Sequence, residues 1–346
     1  MTASPPAAGP PTKGNPTSQA PVLEVRNLSK QFAIRNSRKL VHACDDVSLT
    51  LYRGQTLGLI GESGSGKTTV GRCVLRLIDP TSGSISLDSQ DITKAGKKEL
   101  QRLRRHMQIV FQEPAESFNP VLTVGSQIEL SLKVFSGLSQ AARRRRVNDL
   151  LDRVGVPSVA AGLLPGALPA GVLQKCSIAR ALASEPRLLV LDEPTSALAP
   201  EAEADVLGLL SKLQQDDGLA YLFISHDLSL VRSFCDFVAV MYLGQIVELG
   251  QKADVYTSPR HPYTQALLAA VLHPDPRQRL TRQGRGAELT GEIPSPIDLP
   301  TGCYLASRCK YVTGRCTAER QELIQIDTST VVRCWRAGDL NEGRDT

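Results

Sequence analysis

The stretch Gly61–Thr69, GESGSGKTT, constrains this chain more than any other. It fits the pattern G-x-x-x-x-G-K-[S/T] and stands between an apolar run, QTLGLI, and a segment of helical spacing, TTVGRCVLRLI, that ends at Asp79-Pro80. A strand–loop–helix of this kind is a phosphate cradle. Gly61, Gly64 and Gly66 let backbone N–H groups turn inward, and Glu62, Ser63 and Ser65 complete the wrap. The positive end of the following helix adds to the pull on an anion. Lys67 supplies a point charge for the β- and γ-phosphates, the Thr68 hydroxyl ligates Mg²⁺, and Thr69 carries the loop into its helix.

A second constellation fits the same chemistry. In RLLVLDEP an apolar run delivers Asp192 to the end of a buried strand, where a carboxylate can hold the Mg²⁺ shell. Glu193 follows at once, placed to take a proton from an attacking water. Two further strands end in polar residues: Gln112 after MQIVF, and His226 after LAYLFIS. A strand-end Gln near Mg²⁺ can orient water, and a His can donate to a γ-phosphate. Either alone reads equally as an ordinary strand cap, and their force lies in the chain order.

The remaining pattern predicts an α/β fold with a mainly parallel sheet. Residues 1–20 are rich in Pro, Ala, Ser and Thr and read as a disordered leader without a secretory h-region. VLEVRNLSKQFAI alternates like an edge strand, DDVSLTLYRGQTLGLIG gives two strands about Arg53-Gly54, SGSISLDSQDI a strand and turn, and MQIVFQ a buried strand. VGSQIELSLKVF and SQAARRRRVNDLLDRVGV read as amphipathic helices, the second capped by Ser139. Its Arg143–Arg146 run reads as a solvated face rather than a nucleic-acid contact. After the loop GLLPGALPAG a helix is expected from about Leu173 to Ser184, and HPYTQALLAAVL forms another. Residues 274–300 are rich in Pro, Gly and charge, and the rest is expected to be irregular with little core. At 346 residues and a net charge of +5 the chain is long enough for two domains and too weakly basic to imply nucleic acid.

The order of phosphate loop, Gln, Asp-Glu and His closely resembles the nucleotide-binding subunits of ABC transporters, and within them the oligopeptide/dipeptide importer group. The resemblance covers about Leu23 to Trp335. GESGSGKTT resembles the Walker A motif, FQEP the Q-loop, LLVLDEPTSAL the Walker B and D-loop, and ISHD the H-loop. HPYTQALL and GEIPSPIDLPTGC resemble segments peculiar to the peptide-importer group. The likeness implies a P-loop NTPase fold: a RecA-like, mainly parallel sheet with an antiparallel β subdomain. To this it adds a helical subdomain and a small irregular Cys-rich C-terminal extension. It divides the chain into the leader at 1–20, a nucleotide-binding domain at 21–265 with its helical subdomain at about 113–180, and a C-terminal domain at 266–346. It makes Lys67, Gln112, Glu193 and His226 catalytic, assigns Mg²⁺ to Thr68, Gln112 and Asp192, and puts Phe32 near the adenine-stacking position, where a core Phe would read the same way. ATP with Mg²⁺ is the implied cofactor. The implied partners are a second ATPase subunit, two transmembrane permease subunits and an extracytoplasmic solute-binding protein, with no nucleic acid, at the cytoplasmic face of the membrane.

One departure from that family matters more than the matches. Its signature is Leu-Ser-Gly-Gly-Gln before a helix ending Ile-Ala-Arg-Ala-Leu. Here SIARAL is kept, but the signature positions read Leu168, Pro169, Ala170, Gly171 and Val172. Pro169 removes an N–H and a hydroxyl together, Ala170 adds a Cβ, and Val172 removes an amide. Ala199 stands where the D-loop usually has Asp. Both changes fall on the face that serves the partner's nucleotide, so the expectation is a heterodimer with unequal sites. A regulatory subunit with little turnover and a soluble non-transport ABC ATPase are the alternatives. The stretch between Lys67 and Asp192 has no room for the coiled coil common in the latter.

Eight cysteines in a chain without an export signal point to free or ligated thiols rather than disulfides. Cys303, Cys309, Cys316 and Cys334, spaced C-x5-C-x6-C-x17-C, read as a ligation set for an iron–sulfur cluster or for zinc, with unligated thiols as the third reading. The resemblance favours a [4Fe–4S] cluster, which some members of the group carry there. Cys44, Cys73, Cys176 and Cys235 read as buried small hydrophobes.

Overall fold

The computed structural model describes residues 20–270 and 289–338. The expected leader lies outside them except for Ala20, as do Val271 and Leu272 of the last helical run. In chain order the elements begin with β1 (Leu23–Ala33), β2 (Leu40–Leu51), β3 (Thr56–Ile60), α1 (Lys67–Val74), β4 (Ser82–Leu87) and β5 (Gln90–Asp91). Next come α2 (Lys97–Leu103), β6 (Met107–Val110), α3 (Pro114–Ser117), α4 (Val124–Phe135), α5 (Gln140–Arg153) and α6 (Ala170–Leu182). They are followed by β7 (Leu188–Asp192), α7 (Pro200–Asp217), β8 (Ala220–Ile224), α8 (Leu228–Phe234), β9 (Phe237–Tyr242) and β10 (Gln245–Gln251). The chain closes with α9 (Lys252–Thr257), α10 (Pro262–Ala269), α11 (Gly314–Ala318), β11 (Ile324–Gln325) and β12 (Val331–Val332). No helix among the described residues is long and apolar enough to cross a membrane.

Two compact units result. The first holds residues 20–52, 56–93 and the described residues from 225 onward; the second holds 53–55 and 94–224. In the first unit an antiparallel sheet runs β2-β1-β4-β5. Here β1 pairs with β2 (Leu23↔Leu51) and with β4 (Leu23↔Leu87), so it is central and not an edge strand. Its alternation comes from burial on one face only, as antiparallel sheets allow. A second sheet in this unit pairs β3 in parallel with β9, and β9 with β10 through a turn at Leu243-Gly244. Both turn residues have positive φ (45° and 83°), the backbone that matches hairpin twist. All five residues of β3 are buried.

Two boundaries in the first unit differ from expectation. The helix after the phosphate loop stops at Val74 instead of reaching Asp79-Pro80. Arg76 takes a left-handed φ of 50° there, and its buried guanidinium donates to the Ile92 carbonyl and, at 2.8 Å, to Asp79. The tail is also less irregular than its composition implies. β12 pairs with β10 (Glu248↔Val332), β11 pairs with β12, and Tyr304, Leu305, Val331, Val332 and Ala337 are buried. Arg333, buried, donates to the Ile246 carbonyl (2.9 Å), the Gln321 carbonyl (3.1 Å), and the carboxylate and carbonyl of Asp46 (both 3.0 Å).

In the second unit β6, β7 and β8 are parallel, with Met107↔Leu188 and Leu188↔Ala220 in register. β7 and β8 are wholly buried, as expected. The outer strand β6 is only half-buried at Gln108 and Ile109, and it ends before Gln112. The Ser139 hydroxyl caps α5 by accepting the Ala142 N–H at 3.4 Å. Of the arginine run, Arg144 and Arg145 are exposed, and Arg146 is half-buried and pairs with Glu185 at 3.3 Å. Arg143 departs from the expected solvated face, being mostly buried in a pair with Glu129 at 3.3 Å. α6 begins at Ala170, earlier than the expected Leu173, because Pro169 with ψ of 148° serves as its N-cap residue. Cys44, Cys73, Cys176 and Cys235 are buried and unbonded to one another.

Burial in the first unit also creates a pH-sensitive cluster. Glu248 is fully buried and accepts the N–H groups of Arg260 (2.8 Å) and His261 (2.9 Å). Burial pushes its carboxyl up to about 7 despite those bonds, and pushes His261 down to about 3 with help from Arg333. A carboxyl raised in the fold contributes stability that is full below its ordinary value and is lost as pH rises through 7. The neutral His261 works the other way, its contribution fading as pH falls from 6.5 toward 3. Removing Glu248 therefore removes only the loss at high pH. The deficit of Glu248→Gln against the parent, read by urea denaturation, is expected to be smaller at pH 7.5 than at pH 5 by about 2 kcal/mol. Equal deficits at both pH values would contradict this account.

Candidate nucleotide site

In the first unit the phosphate loop leaves β3 at Ile60 and becomes α1 at Lys67. Gly61 and Gly66 have φ of 150° and 101°. A Cβ on Gly66 would lie 2.1 Å from the Ala43 carbonyl oxygen, and one on Gly61 2.2 Å from that of Met241. The loop is thus pressed onto the backbones of β2 and β9, and only glycine fits at these two points. Lys67 is buried and folded into the loop, its Nζ donating to the carbonyls of Gly61 (2.8 Å) and Glu62 (2.9 Å). α1 has neither a side-chain cap nor an acid in its first turn. Its positive end is therefore left for an external anion. The buried Ser65 hydroxyl has no hydrogen-bond partner among the described residues, as befits a loop shaped for a ligand. Thr68 and Thr69 are half-buried.

His226 belongs to this unit as well. Ser225, just before it, donates its N–H to the Leu59 carbonyl of β3 at 3.3 Å. Asp227, just after it, caps α8 by accepting the N–H groups of Ser229 (2.8 Å) and Leu230 (3.0 Å). His226 is exposed between these two anchors. Phe32 is 40% exposed on β1 with the Lys30 ammonium 4.9 Å from its ring centre, so it is a surface platform and not a core residue.

In the second unit Asp192 ends β7 and is buried. Glu193 has a left-handed φ of 49°, a conformation that costs a non-glycine residue about 1–3 kcal/mol. Its surroundings hold it there. Its N–H donates to the Ile224 carbonyl at 2.9 Å, its carbonyl accepts the Ser196 hydroxyl at 3.2 Å, and the next carbonyl, of Pro194, accepts the buried Gln174 amide at 2.7 Å. Since Val110 pairs with Leu191, Gln112 leaves its strand at the same edge of the sheet as Asp192 and Glu193, and it is exposed. Leu168 precedes α6, and Pro169 and Ala170 are exposed at its start; no side chain caps that helix end. Gly171 packs so closely on α7 that a Cβ would meet that of Ala202 at 2.9 Å. Ala199, at the start of α7, likewise provides no side-chain cap.

Cys303, Cys309, Cys316 and Cys334 all line one recess of the first unit, together with Tyr311 and Trp335. Burial pushes Cys303 up to about 11 and Cys334 up to about 12. Cys316 differs: burial opposes it, but the Thr313 hydroxyl 3.4 Å away and other hydrogen bonds bring its thiol below the usual range. Among the described residues, no three His, Cys, Asp or Glu side chains converge on a single metal-ion position.

Two residues beside the phosphate loop carry no local signal in the sequence. His261 opens α10 as its N-cap, its Nδ1 accepting the Tyr263 N–H at 3.1 Å, and Pro262 takes the first helical position. That start delivers Tyr263, fully buried, with its hydroxyl accepting the Glu62 N–H at 3.2 Å and its ring 4.6 Å from that of Tyr242. From the tail, Arg308 brings Nη1 to 3.9 Å from the Glu62 carboxylate and 3.5 Å from the Tyr242 hydroxyl. The resemblance of HPYTQALL to a family segment marks the first stretch without revealing what it touches.

Comparison with known proteins agrees with this geometry. A family model described as ABC transporter matches residues 44–196, and one described as the C-terminal region of oligopeptide/dipeptide transporters matches 247–316. The chain is 43% identical to a probable peptide ABC transporter ATP-binding protein, y4tS, of Sinorhizobium fredii, over 90% of this chain and 89% of that one. It is 41% identical to the oligopeptide transport ATP-binding protein AppF of Bacillus subtilis, over 92% and 98%. It is 40% identical to the dipeptide transport ATP-binding protein DppF of Escherichia coli, over 88% and 91%. Among solved structures it is similar to the ATP-binding cassette MJ0796, a dimer bound to ADP and phosphate, with 27% identity and a TM-score of 0.61 over 66% of this chain and 98% of that one. From these likenesses, and from the loop and carboxylates that underlie them, the chain belongs to the ATP-binding subunits of ABC transporters, P-loop NTPases that hydrolyse ATP, in the group with an oligopeptide/dipeptide-type C-terminal region.

Proposed function

We propose that this chain is the ATP-hydrolysing subunit of an importer for peptides or related solutes, working opposite a different ATPase subunit. The observation that carries the reading is the contrast between an intact set of nucleotide-site residues and an altered signature segment. Lys67 in its glycine cradle, the backbone-strained Glu193 and the exposed His226 supply charge, a proton acceptor and a donor for phosphoryl transfer to water. In this reading Thr68, Gln112 and Asp192 hold Mg²⁺, Phe32 stacks on the base, and Glu193 is the general base. The side chains of Pro169, Ala170 and Val172 offer a phosphate neither a hydroxyl nor a carboxamide, and Pro169 lacks its backbone N–H as well. ATP in this chain's own loop, closed by a partner's intact signature, hydrolyses; ATP in the partner's loop, facing Pro169–Val172, turns over poorly.

The names of the relatives, and the C-terminal region they share with this chain, support peptides as cargo. The accompanying proteins would be two permease subunits and an extracytoplasmic solute-binding protein, with this chain on the cytoplasmic face of the membrane. Leu130 and Val134, one turn apart on α4 and both exposed, give the second unit an apolar face suited to a permease contact. The four-cysteine recess suits a [4Fe–4S] cluster, because its donors are all sulfur and all line one cavity. Cys303, Cys309, Cys316 and Cys334 would hold it as thiolates, and it would supply a cross-link for a tail with few regular elements.

In the assembled complex, Glu193→Gln is expected to lower ATPase activity by roughly 10²–10⁴-fold, the contribution of a general base. Activity that survives this change, yet disappears when the partner's equivalent Glu is changed, would assign the two sites the other way round. On that Glu193→Gln background, restoring the signature with Pro169→Ser, Ala170→Gly and Val172→Gln should raise the residual rate. Anaerobically purified protein should be brown, bleach on reduction and lose its iron in Cys316→Ser. A colourless protein with one zinc, or none, would refute the cluster.

A further inference from the structure

We propose that Tyr263 and Arg308 are positioning residues of the phosphate loop, acting through Glu62. The inference rests on reading Gly61–Thr69 as the loop that holds the ATP phosphates. The peptide unit between Gly61 and Glu62 is held from both sides. Its carbonyl accepts Lys67 Nζ at 2.8 Å, and its N–H donates to the Tyr263 hydroxyl at 3.2 Å. The next carbonyl, that of Glu62, also accepts from Lys67, at 2.9 Å. A lysine that reaches for a β- or γ-phosphate must loosen its hold on these carbonyls. The Tyr263 bond then remains to keep the peptide plane in place. Tyr263 can serve because its ring is fully buried against Tyr242 and its helix start is fixed by the His261 cap.

Arg308 addresses charge rather than orientation. Glu62 puts a carboxylate in the loop that must receive a polyanion. One of its oxygens, Oε2, is buried without a hydrogen-bond partner among the described residues, and Arg308 Nη1 is the cation 3.9 Å away. The Arg308 side chain is mostly buried, and its guanidinium also lies 5.9 Å from the Tyr242 ring centre, so it is held on this side of Glu62. It offsets the carboxylate's repulsion of phosphate, and without it the loop meets ATP with an uncompensated negative charge.

The test uses the full chain titrated with ADP and with ATP by calorimetry, and the assembled complex for steady-state kinetics. Arg308→Gln is expected to weaken binding of both nucleotides by roughly three- to tenfold, more at low salt, and to raise KM with little change in kcat. Adding Glu62→Gln should recover most of that loss, and Arg308→Lys should show a smaller defect than Arg308→Gln. Tyr263→Phe, which keeps the ring, should raise KM by roughly two- to fivefold at unchanged kcat. Binding within twofold of the parent for Arg308→Gln and Tyr263→Phe would overturn the proposal. So would an Arg308→Gln defect that Glu62→Gln leaves uncorrected. If Arg308→Gln unfolds, Arg308→Lys and Tyr263→Phe carry the same test. Lys67→Ala is the control for the underlying reading: if nucleotide still binds at parental affinity, the loop assignment itself has failed.

Discussion

The contact between Gly66 and the carbonyl of Ala43 is the constraint on which the rest depends. A phosphate loop works by presenting backbone donors in a fixed array, and an array needs something rigid behind it. Here that support is β2, whose Cys44 thiol also lies 3.7 Å from the Gly66 carbonyl. β2 is in turn gripped by the tail. The His42 N–H donates to the Pro296 carbonyl at 2.9 Å, Asp45 accepts from Tyr304 and Arg320, and Asp46 accepts from Arg333. Although burial opposes it, the Arg320 and Tyr304 bonds hold the Asp45 carboxyl below the usual carboxylate range. Loop, strand and tail form one mechanical series.

The tail's anchors follow a simple pattern. Tyr304 directly follows Cys303, Arg308 directly precedes Cys309, and Arg333 directly precedes Cys334. While each of these cysteines lines the recess, its neighbour reaches Asp45, Glu62 or Asp46. The same short stretches thus line the cavity and fasten the extension to the nucleotide loop and its supporting strand.

Much of this was legible in the sequence where the determinants are local. The phosphate loop and the buried strands β7 and β8 follow from glycine spacing and unbroken apolar runs, and Ser139 from capping chemistry. Asp192, Glu193 and His226 stand out in the sequence because they end or directly follow such runs. Boundaries set by distant partners were not legible. α1 stops early because Arg76 can place its guanidinium on Ile92 and Asp79, which periodicity over 67–78 does not encode. β1 looks like an edge because one-sided burial and edge position give the same alternation. Tyr263 and Arg308 left no local mark, since their meaning lies in Glu62, some two hundred or more positions away along the chain.

That separation has a consequence for how the molecule is made. Asp46 and the guanidinium that secures it are 287 positions apart. A ribosome delivers the amino-terminal strands and the glycine loop long before it delivers Arg333. Closing so distant a pair is entropically costly and slow, so until Arg333 has emerged the young chain holds β2 without one of its fastenings. A chain that stopped before Arg333 would keep Gly61–Thr69 and β2 but lack the guanidinium that secures Asp46.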